Sequence, residues 1–190
     1  MYNFFAYLNR MKYIGRWSLM RNTVSENIAE HSHSVAMIAH AIAVIGVRQF
    51  GQTYNPSDIT VLAVYHDAGE VITGDLPTPV KYANPNLHRA YKELEDSAAD
   101  TLIAMLPEEL KADFDSVLKP QDSKEIMIVK AADKLSAYIK CIEEIKSGNT
   151  EFARAKKTIK SQIDVITLPE VKYFIKYFVG AYELSLDELT

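Results

Sequence analysis

Ala63-Val-Tyr-His-Asp-Ala-Gly-Glu-Val-Ile-Thr-Gly-Asp-Leu-Pro-Thr-Pro79 starts as the end of an almost wholly apolar helix, yet His66, Asp67 and Glu70 interrupt it. Ionisable groups cost several kcal/mol to bury unless they are paired or ligated to a metal, so three of them within five residues need a reason. On a helix His66 and Asp67 point about 100° apart, while His66 and Glu70 share a face one turn apart. That arrangement suits two metal ligands with a nearby carboxylate, and it also suits a hydrogen-bonded core histidine beside solvated acids. The helix is expected to run to about Ile72. Gly74 then permits a turn, and Pro77 and Pro79 fix their own φ and bias the residues before them away from helix. A turn this stiff would hold Asp75 and Thr78 in place relative to the helix end.

Upstream, Asn55 can cap this helix, with Pro56 at its first position and Asp58 at the reciprocal acid position of a capping box. Before it, Asn27 to Ser32 leads into Val35, Met37, Ile38, Ala39, Ala41, Ile42, Val44, Ile45 and Val47. A helix apolar on most sides belongs at the centre of a fold. His31 and His33 lie near its start, and residues two apart do not face one another, so at most one joins a shared site. His40 reads as a core histidine. Further back, Phe4, Phe5, Leu8, Met11 and Ile14 mark one face of a first helix ended by Gly15. Arg16-Trp17-Ser18-Leu19-Met20-Arg21 then sets the single tryptophan between two arginines. This is either a solvated edge with a core indole, or a guanidinium and an indole suited to a ligand with both phosphate and ring.

Downstream, a long amphipathic helix spans about Pro85 to Met105, with Leu87, Tyr91, Leu94, Ala98 and Leu102 in its seam, and a short one follows Pro107. The next runs from about Lys124 to Lys146, with Asp122 and Glu125 at capping-box spacing. Within it, Asp133 occupies the helical row of Ile126, Val129 and Ala137, where an apolar residue is expected. It is either a carboxylate held inside by the small Ala131-Ala132 approach, or a partner of Lys130 or Lys134. Two more helices follow, over 151–167 and from Pro169, the last rich in aromatic residues.

The absence of any strand pattern, repeat or linker predicts an all-α, single-domain helical bundle over residues 1–190. At 190 residues, 48% hydrophobic and 24% charged, the chain can bury a sizeable core. A net charge of −4 carries no basic signature for a nucleic-acid polymer. No apolar run is expected to approach the roughly 20 residues of a membrane span, and the N-terminus lacks signal-peptide features, so no membrane partner and a cytoplasmic location are expected. Cys141, the only cysteine, reads as a core filler.

His31, the His66–Asp67 pair and Asp133 stand 35, 1 and 66 positions apart. That pattern resembles the HD-domain metal phosphohydrolases: a histidine, a later His-Asp pair and a distal aspartate. The likeness is closer to the bacterial 5'-deoxynucleotidases of that superfamily and covers nearly the whole chain. It is carried by Phe4-Phe5-Ala6, Arg16-Trp17, Leu19-Met20-Arg21-Asn22, Glu30-His31-Ser32, Tyr65-His66-Asp67 with Glu70, Thr73 through Tyr82, and Leu184-Ser185-Leu186-Asp187. The resemblance implies that His31, His66, Asp67 and Asp133 bind one divalent metal and that Glu70 is the acid–base residue. It implies that Arg16, Trp17, Asp75 and Thr78 line the substrate site. It also implies a homodimer that removes phosphate from deoxyribonucleoside 5'-monophosphates. Ser18 stands where relatives carry proline, and His33 has no role in the family pattern.

The chemistry agrees with that expectation. A site of two imidazoles and two carboxylates suits Mn²⁺, Co²⁺, Fe²⁺ or Zn²⁺, with Mg²⁺ less natural. Arg16 can grip phosphate bidentately, and Trp17 beside the sugar would leave no room for a 2'-hydroxyl. An HD-type phosphodiesterase or nucleoside triphosphate phosphohydrolase is the alternative enzyme, but the extra basic residues or ligands it needs are not found. A non-catalytic nucleotide-sensing protein is the alternative outside enzymes.

Overall fold

Helices form wherever the apolar residues recur at helical spacing, and the computed structural model describes residues 1–81 and 83–190. Tyr82, last of the Thr73–Tyr82 stretch, lies outside the described residues. The α-helices are α1 (Phe4–Leu8), α2 (Ile28–Phe50), α3 (Pro56–Tyr65), α4 (Glu70–Thr73), α5 (Thr78–Lys81), α6 (Pro85–Ala104), α7 (Glu108–Leu118), α8 (Lys124–Lys146), α9 (Ala153–Asp164) and α10 (Pro169–Phe178). Short 3-10 turns cover Asn9–Tyr13, Thr150–Phe152, Val179–Glu183 and Leu186–Glu188. Among the described residues, extended pairing is confined to one antiparallel bridge between Gly15 and Asn27. The chain is the all-α, single-domain bundle expected.

Helix α2 is the axis. Asn27 caps it by accepting from the Glu30 N–H, while the Glu30 carboxylate accepts from the Asn27 N–H, so two orphan donors are satisfied reciprocally. Helices α3, α8 and α10 pack around it. They build a core of Val35, Ile42, Ile59, Ile128, Leu135, Val171 and Phe174, among others. With 23 residues and a mean hydropathy of 1.3, α2 is long and apolar enough to cross a membrane by length and composition. That corrects the expectation that no run would approach such a size. Half of it is buried by its neighbours. His40 is exposed rather than core, because it shares with His33, Met37 and Val44 the one helical row that no neighbour covers.

A second cluster gathers Phe4, Ala68, Leu102 and Leu106, with Tyr65, Val71 and Phe114 packed against it. Phe4 and Phe114 meet edge to face at 4.8 Å. The quoted stretch crosses from one cluster to the other, since Ala63 belongs to the first and Ala68 to the second. The crossing changes its winding. Helix α3 ends at Tyr65, not near Ile72, and residues 66–69 tighten into i→i+3 turns, with Ala68 N–H on Tyr65 O and Glu70 N–H on Asp67 O. Smaller differences are local. Ser123, not Asp122, caps α8; the Asn55 cap bonds Ser57 N–H; and Leu94 faces solvent.

Gly46 of α2 lies against Tyr54, whose hydroxyl donates to the buried Glu170 carboxylate at 2.9 Å. A Cβ there would come within 1.8 Å of the Tyr54 hydroxyl oxygen. Gly46→Ala is therefore expected to lose about 1–3 kcal/mol net, since overpacking and a stranded Glu170 exceed the ~1 kcal/mol propensity gain of alanine. Gly180→Ala, with no atom within 4 Å, should stay within about 0.5 kcal/mol. Urea unfolding of the two variants compares them directly.

Candidate active site

His31 comes from the first turn of α2, His66 and Asp67 from the tight turn after α3, and Asp133 from the middle of α8. The donor atoms of His31, His66 and Asp133 lie within 4.8 Å of one another. Asp67 Oδ2 sits 3.2 Å from His66 Nε2 and 3.5 Å from His31 Nε2, and Asp133 Oδ1 is 3.1 Å from His31 Nε2. Asp67 thus lies against both imidazole rings.

Each ring is oriented through its other nitrogen. His66 Nδ1 donates to the Ala63 carbonyl at 2.8 Å, and His31 Nδ1 lies 3.3 Å from Ser136 Oγ. A ring that donates through Nδ1 turns an Nε2 lone pair toward the cluster. Both Nε2 atoms are buried and have no hydrogen-bond partner. Buried polar atoms are nearly always satisfied, so two unpaired imidazole nitrogens aimed at shared carboxylates fit a cation. His31, His66 and Asp133 form a divalent-metal site of mixed nitrogen and oxygen donors.

The acids around it separate into two kinds. Burial opposes ionisation of Asp67 and Asp133, but His66 beside the first and His31 beside the second hold both below the usual carboxylate range. Burial also works against a charged His66, yet Asp67 raises its pKa. Glu70 goes the other way. Burial, reinforced by the Asp67 and Asp75 charges, lifts its carboxyl to about 9, with Arg16 and Lys81 opposing. Its Oε2 is buried without a partner. Asp75 is raised by burial despite Arg16, and it accepts from the Trp17 backbone N–H.

Arg16 and Trp17 reach the site on the loop between the Asn9–Tyr13 turn and α2. Arg16 Nη1 donates to Asp67 Oδ2 at 3.4 Å. Trp17 is the one non-glycine residue with positive φ, at 57°, among the described residues, a conformation that an L-residue adopts at a cost of about 1–2 kcal/mol. Two acids missed by sequence reasoning hold this loop. Glu26 accepts the Trp17 indole N–H at 2.8 Å and lies 3.3 Å from Arg16 Nε. Buried Glu144 of α8 accepts from Thr23 N–H, Val24 N–H and Asn149, and pairs with Lys140 at 2.5 Å. Burial raises the Glu144 pKa, but these donors hold it well below the usual range. The signal for Glu144 was its i,i+4 spacing from Lys140; nothing local marked Glu26.

The structure thus brings His31, His66, Asp67, Asp133, Glu70, Asp75, Arg16 and Trp17 to one place. Thr78 is exposed at the start of α5, and no contact joins it to the cluster among the described residues. His33 is exposed on the open row of α2. Cys141 is buried, and burial pushes its thiol up to about 12, as suits a core filler.

A helical bundle that draws a histidine of α2, the histidine of a His-Asp pair and a distal aspartate to a single metal site, with the paired aspartate against both rings, defines an HD-type metal-dependent hydrolase. The family profile described as 5'-deoxynucleotidase YfbR-like matches residues 3–182. A 5'-deoxynucleotidase of Vibrio parahaemolyticus is 50% identical over 190 residues, covering 99% of this chain and 98% of that one. One from Yersinia pseudotuberculosis is 48% identical over 192 residues, covering 100% and 98%. The crystal structure of an HD-domain phosphohydrolase from Listeria innocua superposes with a TM-score of 0.84 at 26% identity, covering 95% of this chain and 88% of that one. The chain belongs to the YfbR-like 5'-deoxynucleotidase family.

The raised Glu70 carboxyl has a consequence for stability without metal. Between the ordinary value of 4.5 and about 9, the folded state keeps a proton that the unfolded state has lost. The unfolding free energy therefore falls as pH rises through that window and levels off above it. Glu70→Gln removes this slope. Urea midpoints of chelated native and variant protein should diverge in the variant's favour from about pH 5 to about pH 9; a constant gap would contradict the assignment.

Proposed function

We propose that this protein hydrolyses deoxyribonucleoside 5'-monophosphates to deoxynucleoside and phosphate, with His31, His66, Asp67 and Asp133 holding one divalent cation. The observation that carries this reading is the pair of buried, unpartnered imidazole Nε2 atoms facing two carboxylates, with the Arg16 guanidinium on the same carboxylate. A bound divalent cation supplies Lewis-acid stabilisation of phosphoryl charge and a stronger water nucleophile at neutral pH. Two imidazoles among the donors favour Mn²⁺, Co²⁺, Fe²⁺ or Zn²⁺ over Mg²⁺.

The protein side chains supply the rest. Arg16 offers donors to the phosphate while Glu26 and Asp67 fix its plane. Glu70 handles the proton: burial raises its pKa well above the usual carboxylate range, so that it carries a proton to give. Water adds to phosphorus, the P–O5' bond breaks, and the leaving oxygen takes up a proton. Trp17 packs beside the sugar and excludes a 2'-hydroxyl, and Asp75 and Thr78 serve the ester side or the 3'-hydroxyl. As the resemblance implies, the enzyme works as a homodimer, and exposed Tyr177, Phe178 and Leu186 near the C-terminus offer apolar surface for the contact; the sequence features point to the cytoplasm.

Chelated protein reloaded with Co²⁺ or Mn²⁺ should release phosphate from dAMP, and much less from AMP or 3'-dAMP. Equal turnover of AMP would contradict the deoxy preference, and no turnover of any would contradict the nucleotidase reading. Glu70→Ala should lose roughly 10²–10⁴-fold in rate with metal content unchanged. Loss of the metal would make Glu70 a ligand instead.

A further inference from the structure

We propose that Glu26 is a positioning residue that sets the discrimination between deoxy and ribo substrates by clamping Trp17 and Arg16 against the metal-site histidine; this rests on the reading that Trp17 occupies the 2' side of the sugar. Glu26 stands immediately before the α2 cap, where the chain pairs back on the substrate loop. Arg16 N–H donates to the Glu26 carbonyl at 2.9 Å, and Ile28 N–H to Ile14 O at 3.0 Å. These bonds flank the Gly15–Asn27 bridge and close the loop over 15–27 at its neck. The backbone of Glu26 is therefore fixed by the same device that fixes Arg16.

Its carboxylate then reaches three residues of the site at once. Oε2 accepts the Trp17 indole N–H at 2.8 Å and lies 3.3 Å from Arg16 Nε, while Oε1 is 3.9 Å from His31 Nδ1. An indole has one polar atom, a donor, so a single acceptor decides how the ring is turned. The opposite constraint is apolar: Phe152 lies against the indole at 5.2 Å between centroids. Trp17 needs such anchoring, because its positive φ is an unfavourable conformation for any residue but glycine.

Arg16 shows the second half of the clamp. Glu26 faces its Nε and Asp67 faces its Nη1, which sets the guanidinium plane and leaves its other N–H groups for an anion. Ring and guanidinium share one counter-group. The two contacts have different requirements: the indole needs only an oxygen acceptor, whereas Arg16 gains from the negative charge. Glutamine keeps the first and loses the second; alanine or methionine loses both.

The test measures kcat and KM for dAMP and AMP on metal-loaded native protein, Glu26→Gln, Glu26→Ala and Glu26→Met. Iodide quenching of Trp17, the only tryptophan, is read on the same samples. Glu26→Ala should narrow the dAMP over AMP preference in kcat/KM by roughly tenfold, the scale of a lost hydrogen bond to a charged group, and increase quenching. Glu26→Gln should keep the native preference and quenching while raising KM for both nucleotides alike. Glu26→Met, which keeps the side-chain length without an acceptor, should match alanine and replaces it if alanine does not fold. Native preference and native quenching in Glu26→Ala or Glu26→Met would overturn the proposal. Native protein that turns over neither nucleotide would sink the nucleotidase reading instead, and the quenching arm would still decide whether Glu26 holds the ring.

Discussion

Two imidazole nitrogens, Nε2 of His31 and Nε2 of His66, are buried without a hydrogen-bond partner and turned toward the same pair of carboxylates. Leaving a buried polar atom unsatisfied costs about 1–3 kcal/mol, and the fold supports both. The two clusters of apolar side chains do so by fixing the elements that carry the ligands. Helix α2 brings His31 from the centre of the larger cluster, and α8 brings Asp133 across its neighbouring face. The turn at residues 66–69 spans the seam between the clusters. The site lies where no single element could create it, and each ring is turned by a bond from its remote nitrogen.

Around that centre the charges are sorted by environment. His66 beside Asp67 and His31 beside Asp133 hold those carboxyls below the usual range despite burial, whereas burial and the Asp67 and Asp75 charges raise Glu70 to about 9. Asp67 and Glu70, three residues apart in sequence, are thus shifted in opposite directions by their surroundings alone. The loop carrying Arg16 and Trp17 belongs to the same system, because Arg16 closes on Asp67 while Glu26 and Glu144 hold the loop from behind.

What could be read in the sequence was whatever is encoded locally. The start of α3 follows from Asn55 before Pro56, the ends of α8 follow from its apolar periodicity, and both are found at the expected places. His66, Asp67 and Asp133 stood out because each breaks an apolar pattern, His31 was singled out from His33 by the family resemblance, and the four do converge. What could not be read depends on packing between distant segments. The end of α3 at Tyr65 follows from Ala68 joining the second cluster, and no local signal reports that. His40 looked like a core residue because its helix is apolar, but only neighbouring helices decide which row stays open. Glu26 looked like an ordinary acid before a helix; its partners are reached through a one-rung bridge that propensity does not reveal.

The most direct measurement is a titration of chelated protein with Co²⁺, followed by visible absorption and by metal content after gel filtration. One equivalent per chain should bind saturably, with the spectrum of a mixed nitrogen–oxygen site, and both His31→Ala and Asp133→Ala should abolish it. Absence of saturable binding, or native stoichiometry and spectrum in His31→Ala, would contradict a metal centre shared by α2, α8 and the turn after α3.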